Sequence, residues 1–516
     1  MNKPAGLARV TAAAVLGIDA TLVAVEADFS PGPAAFSLAE LPPGMVRDAR
    51  ERVYAALVNT GTSLPSGKYT LNLTPSNLPK HTSAFDLPIA VAMLAAAGRL
   101  HSTERLNHVL VAGELGLDGA LRPVRGALPL AIAAREAGLA TVIVPEFNAR
   151  EAAVLEELDV RGAKTLAEVI GFLNGSAELP RTRFDRDPHL LGAETTENDL
   201  SEVKGQEHVK RALEVAAAGA HNVLLVGPPG AGKTMLAQRI TGILPPPTVE
   251  EALESTRIYS VAGLLSEDWP LITRRPFRNP HTTISDAGLI GGGSTPRPGE
   301  VALAHNGVLF LDELAEFRRN VLEALRQPLE DRCITLSRGG VSLTYPSRFM
   351  LVAAMNPCPC GHHGDAQRRC TCPPAVVQRY LSRVSGPVLD RIDLHVEVPA
   401  VRYRDLADRR SGEPSEWIRA RVVRAREVQR ARFEPRTGMQ TNADMTPRDL
   451  REHCALGAGG DALMRTAITR LGLSARAYHR VLKIARTIAD LDGDGDISTA
   501  HVSEAIQYRS LDRAPR

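Results

Sequence analysis

The sequence predicts an α/β protein in three parts: an α/β domain over residues 1–175, a parallel-sheet nucleotide-binding core over 201–400, and an all-α lid over 401–516. Three observations carry this. Short apolar strands alternate with helical stretches through the first two parts. A glycine-rich phosphate loop stands between a strand and a helix. After Pro399 the strand signals fade and only helical patterns remain.

In the first part, β-rich stretches such as Tyr69 to Leu73 and His108 to Ala112 alternate with apolar helices such as Phe85 to Ala97 and Leu128 to Ala137. The small apolar run from Val10 to Ala24 is broken by Asp19 and followed by Glu26 and Asp28. It therefore reads as a buried strand pair rather than a signal peptide or membrane span. Residues 176–200 are rich in Pro, Arg, Asp, Glu and Thr without periodicity, the composition of a linker. Val223 to Val226, Val308 to Leu311 and Met350 to Met355 are the core strands of the second part. In the third, Glu416 to Phe433 and Ala475 to Leu491 read as helices, the first studded with arginines.

At 516 residues the chain is long enough for several hydrophobic cores. A net charge of +2 points to neither a nucleic-acid nor a membrane partner, so any basic surface is local. Four of the six cysteines crowd into Cys358 to Cys372, which favours ligands over disulfides and a reducing cytoplasm.

The strand Val223 to Val226 runs into Gly227-Pro228-Pro229-Gly230-Ala231-Gly232-Lys233-Thr234 and then a helix, the phosphate-loop pattern in its required context. Its glycines let backbone N–H groups converge on the phosphates of ATP, Lys233 neutralises the outer ones, and the Thr234 hydroxyl can ligate Mg. Further on, the apolar strand Val308 to Leu311 ends in Asp312 and Glu313. The first is the Mg residue and the second the base that polarises the attacking water.

Together with Gly205-Gln206, Arg275-Pro276-Phe277-Arg278, Gly291-Gly292-Gly293, Pro298-Gly299-Glu300, His305-Asn306-Gly307, Asn356-Pro357-Cys358-Pro359-Cys360 and Ser385-Gly386-Pro387, these motifs resemble the magnesium-chelatase-like AAA+ ATPases of YifB/ComM type. The match runs over nearly the whole chain. His281-Thr282 departs from it where two adjacent histidines are usual. The resemblance implies that Asn356 is the sensor that positions water near the γ-phosphate. It implies that Arg391 is an arginine finger reaching a neighbouring subunit's nucleotide, and that Arg476 is a second sensor contacting nucleotide from the lid. It also implies a homo-oligomeric ring, expected to be a hexamer.

The N-terminal part resembles the Lon protease domain through Phe85-Asp86-Leu87-Pro88-Ile89, Gly113-Glu114-Leu115, Arg122-Pro123-Val124-Arg125-Gly126 and Val142-Ile143-Val144-Pro145. The Ser position of the Lon dyad is Phe85, and no lysine lies between Lys80 and Lys164. A serine nucleophile needs its base, so a non-proteolytic docking or scaffold domain is expected, and Ser83 is read as a loop serine.

Cys358-x-Cys360 and Cys370-x-Cys372 suffice for a tetrahedral zinc site, although each pair is spaced more tightly than usual, and reduced structural thiols are the alternative. Cys333 and Cys454 read as packing residues. Asp490-x-Asp492-x-Asp494-Gly495 copies half of a calcium loop but has His501 where the bidentate glutamate belongs, so it reads as a turn, with Ser498 capping the next helix.

What the motor moves is left among three readings. The resemblance implies DNA translocation and branch migration, in homologous recombination or natural transformation. A chelatase-like subunit and a protein-remodelling regulator are the others. The arginine helix does not choose between them, because its alternating glutamates favour a salt-bridged face. Ile334 to Thr344 has two alternating runs about Ser337-Arg338-Gly339-Gly340, a β-hairpin signature. Its position resembles the pore hairpin of helicase-related AAA+ proteins, which would place Arg338 at a DNA backbone; an exposed hairpin with a solubilising arginine is the alternative.

Overall fold

The computed structural model describes residues 6–509 except 40–42, 77, 79–82, 102–103, 185–197, 294–295, 339–340, 366–367, 402–403, 405–411 and 435–438. Most of the expected linker thus lies outside the described residues. The N-terminal apolar run forms the expected strand pair: Leu7–Leu16 and Asp19–Pro31 are antiparallel, joined at Gly17. They sit inside an eight-stranded mixed sheet with strand order Arg181–Thr182, Asp159–Ala163, Thr141–Pro145, Val109–Val111, Leu7–Leu16, Asp19–Pro31, Gly67–Thr74, Ala35–Leu38. Every residue of the helix Asp86–Ala96 is buried against it. Its one charged member, Asp86, is satisfied by the Arg52 guanidinium at 2.6 and 3.0 Å, as a buried carboxylate must be. Phe85 is buried at the start of this helix, and the neighbouring Ser83 hydroxyl donates to the Glu114 carboxylate.

The second sheet has five strands, all parallel, in the order Phe277–Arg278, Val308–Leu311, Met350–Met355, Val223–Val226, Leu394–Glu397. The three central strands are buried along their whole length, which explains their unbroken apolar sequences. A single apolar cluster runs from this sheet through the helix Glu207–Gly219 into the C-terminal helices Ser415–Phe433, Ala458–Leu471, Ala475–Asp492 and Thr499–Gln507. The helical region is therefore packed onto the sheet rather than tethered beside it.

The arginines of Ser415–Phe433 that face this junction are consumed internally. Arg421 pairs with Glu214 and Glu413, Arg426 donates to the Ala217 carbonyl at 2.8 Å, and Arg432 holds Asp490. Asp490 also accepts from Arg486 and Asn442, so the carboxylate opening the calcium-like sequence is an ionic hub of the helical core. Ser498 caps the helix Thr499–Gln507 as expected. Among the described residues, no helix is long and apolar enough to cross a membrane.

The N-terminal domain rests on the helix Val249–Ala262. Ala252 and Leu271 join its apolar cluster, Gly126 N–H donates to Ser260 O at 3.1 Å, and the buried Glu151 accepts from the Ser260 hydroxyl and the Leu128 amide. Arg257 pairs with Asp19 across the same junction.

Asp393 ties sheet to helices. It accepts the Asn222 N–H at 2.9 Å and Arg480 Nη1 at 2.5 Å, and the His221 ring stands 3.8 Å away. Burial pushes this carboxyl up, but Arg480, His221 and the Asn222 amide outweigh it and hold it far below the ordinary carboxylate range. A depressed carboxyl stabilises the fold above its unfolded pKa of about 3.9, and that stabilisation is lost as pH falls below it. Asp393→Asn is expected to cost about 3 kcal/mol at pH 7. The gap in thermal midpoint between variant and wild type should narrow between pH 7 and pH 3; a constant gap would remove the ionic explanation.

Candidate nucleotide site

The parallel register brings three strand ends to one edge of the sheet, where α/β proteins bind ligands. Val223–Val226 pairs with Met350–Met355, and Val308–Leu311 flanks the latter on its other side. Gly227, Asn356 and Asp312 follow these strands directly, so the phosphate loop, the expected sensor and the acidic pair meet without any further device.

Gly227 must be glycine, because a Cβ there would stand 2.0 Å from the Val398 carbonyl oxygen. Gly230 and Gly232 have φ of 77° and 84° and nothing within 4 Å of a would-be Cβ, leaving an open cradle ahead of the helix Lys233–Arg239. Lys233 Nζ donates to the carbonyls of Gly227 and Pro228 at 2.8 and 2.9 Å and to Asn356 Oδ1 at 3.1 Å. Burial lowers its pKa, opposed by the charges of Asp312 and Glu313. Thr234 Oγ1 donates to Asp312 Oδ2 at 2.7 Å, and Asp312 Oδ1 accepts the Glu313 N–H at 2.9 Å. Glu313 itself has φ 52°, an unusual backbone for a non-glycine residue, and its side chain is exposed.

These groups fit a magnesium nucleotide. The cradle is open, a cation faces it, and the hydroxyl and carboxylate that would share a hard divalent ion already touch. When bound, Mg would neutralise phosphate charge; Thr234 and Asp312 would hold it, Lys233 would turn from its own loop to the phosphates, and Glu313 would take the proton of the attacking water.

Gln206 holds the phosphate loop in a way its sequence motif did not specify. With φ 58° it caps the helix Glu207–Gly219, and its Nε2 donates to Ala231 O at 2.9 Å and Pro399 O at 3.1 Å, clamping the phosphate loop to the end of the sheet. The Gly205-Gln206 motif flagged the position, but the contact joins residues distant in sequence.

Arg391 and Arg476 are brought together, away from the phosphate loop. Both line a cavity of about 570 Å³ between sheet and helices, with Glu330, Arg348, Asp393 and Arg480 among its walls. Arg391 is buried, held by Glu330 and by the Pro387 carbonyl at 2.5 Å, while its Nε has no partner among the described residues. Arg476 is exposed at the start of Ala475–Asp492.

The expected hairpin is present: Cys333–Arg338 pairs antiparallel with Val341–Pro346, Arg338 opposite Val341. Thr335 and Thr344, and Ser337 and Ser342, link hydroxyls across its exposed face at 3.2 and 3.1 Å. The side chain of Arg338 and residues 339–340 lie outside the described residues. Cys358, Cys360, Cys370 and Cys372 converge, with all four Sγ atoms within 4.8 Å of one another. Cys454 is buried, as a packing residue should be, and Cys333 is half-buried.

Residues 199–406 match the family model "Magnesium chelatase, subunit ChlI", residues 25–148 match "Subunit ChlI of Mg-chelatase", and residues 412–509 match "Magnesium chelatase, subunit ChlI C-terminal". Competence protein ComM of Haemophilus influenzae is 43% identical over 513 residues, covering 98% of each chain. The uncharacterized protein YifB of Escherichia coli is 44% identical, covering 97% of this chain and 96% of its own. The magnesium-chelatase 38 kDa subunit of Rhodobacter capsulatus is a more distant relative, 26% identical over 61% of this chain and 87% of its own. The chain belongs to the magnesium-chelatase-like AAA+ ATPases, in the group that includes ComM and YifB.

Proposed function

We propose that this AAA+ ATPase assembles into a ring, expected to be a hexamer, that couples ATP hydrolysis to movement along DNA. The observation carrying the DNA reading is the hairpin Cys333–Arg338/Val341–Pro346, a two-stranded sheet of its own that stands just before the strand Met350–Met355. A nucleotide-dependent shift at Asn356 has one strand, Met350–Met355, to cross before it reaches the hairpin root at Pro346. A ring would present several copies of Arg338 to a threaded backbone, as sequence-independent, salt-sensitive phosphate contacts. The word "competence" in the name of the Haemophilus relative agrees with handling of incoming DNA. Metal insertion and protein remodelling remain the alternative cargoes, and the 26% identity to a chelatase subunit speaks for them only at the level of the motor.

Within each subunit, Glu313 is the base, Asn356 the water-positioning group, and Lys233 the phosphate cation. Arg391 and Arg476 share a cavity that contains none of these residues, which favours both acting on a neighbour's nucleotide. The unpartnered Nε of a buried arginine is the chemistry expected of a group awaiting an anion.

Lys233→Ala should abolish nucleotide binding, whereas Glu313→Gln should bind ATP normally and lose turnover by about 100-fold or more; equilibrium binding and phosphate release distinguish them, and an active Glu313→Gln protein would remove the base assignment. Arg391→Ala should be inactive alone yet regain activity in rings mixed with Lys233→Ala, which lends its own finger; no recovery at any mixing ratio would count against a finger in trans. Arg338→Ala should keep DNA-independent ATPase and assembly but lose stimulation by forked or single-stranded DNA, measured at two salt concentrations. Wild-type unwinding by this variant would turn the reading toward a protein cargo.

A further inference from the structure

The described residues of Pro359 to Pro373 bury little, and His362 pairs with Asp365 within the segment at 3.0 Å. Among its described residues only Gly361 is buried, and no apolar side chain enters a core. A segment of this length ordered without apolar burial needs a cross-link to offset its conformational entropy. The four thiols stand where one would act. Cys358 Sγ lies 3.3 Å from Cys360 Sγ and 3.7 Å from Cys370 Sγ, and Cys360 Sγ lies 3.6 Å from Cys370 Sγ. Four thiolates at about 2.3 Å from one tetrahedral ion would be about 3.8 Å apart. The spacing is too tight for four thiolates each on its own iron of a cubane cluster. Four sulfurs leave no open position, so such an ion is structural.

The segment is wedged against the nucleotide site at both ends. Cys358 follows Asn356 by two residues, and the helix Pro374–Leu381 that leaves the segment returns the Tyr380 phenol to the Asn356 backbone. Near its start, Gly361 has φ 82°, and a Cβ there would stand 2.3 Å from Pro229 Cδ in the phosphate loop.

We propose that Cys358, Cys360, Cys370 and Cys372 hold one zinc ion as thiolates, and that this ion fastens a buttress, through Gly361, under Pro229 of the phosphate loop. The metal site stands whatever the motor moves; only the buttress rests on the reading of residues 227–234 as the ATP site. Zinc fixes the height of Gly361 against Pro229 and the exit of the chain from Asn356. Its removal frees both walls of the cradle at once, and ATP affinity falls without loss of any phosphate ligand.

The test uses the full-length protein. Metal analysis should give about one zinc per chain, and protein loaded with cobalt instead should show the visible absorption of a tetrahedral four-thiolate site. Cys370→Ser with Cys372→Ser should lose both signals. Gly361→Ala should keep the metal and weaken ATP binding by about tenfold, because its Cβ displaces Pro229. Adding Pro229→Ala should recover part of that loss, since it removes the atoms the Cβ meets. Lys233→Ala should keep full metal content, so failure of the ATP reading leaves the metal result intact. A metal-free protein of wild-type stability, or iron at the same stoichiometry, would overturn the zinc site. Unchanged ATP affinity in metal-bound Gly361→Ala would overturn the buttress.

Discussion

The parallel register of three buried strands is the constraint on which the rest depends. Because Val223–Val226, Met350–Met355 and Val308–Leu311 run side by side in the same direction, whatever follows each of them must meet at one edge. The helix that begins at Lys233 adds its partial positive charge at that edge. Before any nucleotide arrives, Thr234 and Asp312 already share a hydrogen bond and Lys233 is satisfied by its own loop. A buried ammonium without partners would destabilise the loop; the Gly227 and Pro228 carbonyls and Asn356 prevent this. The same bonds must be exchanged when phosphate enters. Asn356 thus touches Lys233 directly, through its Oδ1.

The apolar cluster joining the sheet to the C-terminal helices makes the position of Ala475–Asp492 a consequence of core packing, and with it the position of Arg476. Asp393 reinforces the junction: its amide partner belongs to the sheet and its guanidinium partner to the helix. Arg391, two residues earlier, is therefore held on a stiff segment. A side chain already ordered loses less entropy on any contact it makes.

What could be read from the sequence follows from sequence distance. The phosphate loop, the acidic pair and the strand pair at the N-terminus are contiguous patterns whose chemistry needs near neighbours in order, and the structure places them where the pattern says. The cap at Ser498 is of the same kind. The arginine helix was ambiguous on its own, since alternation of Arg and Glu describes a solvated face and an ionic junction equally; Glu214 and Asp490, which decide it, come from other helices. Gln206 was visible only as a motif residue because its partners, Ala231 and Pro399, are brought to it by the sheet. The contact of Gly361 with Pro229 had no local signal, since neither residue type announces a partner.

The N-terminal domain belongs to the mechanical argument as well. Its first hairpin turns at Gly17, which lies 3.8 Å from the Thr344 carbonyl oxygen measured from a would-be Cβ, and Ile18 packs into the small apolar cluster of Ile258, Leu303 and Tyr345. Tyr345 is the root of the second hairpin strand, and its hydroxyl donates to Pro296 O at 3.0 Å. The hairpin is thus gripped at its base from two sides. Arg257 with Asp19 and Ser260 with Glu151 carry the same docking along Val249–Ala262. The N-terminal domain thus packs against the base of the hairpin as well as along Val249–Ala262.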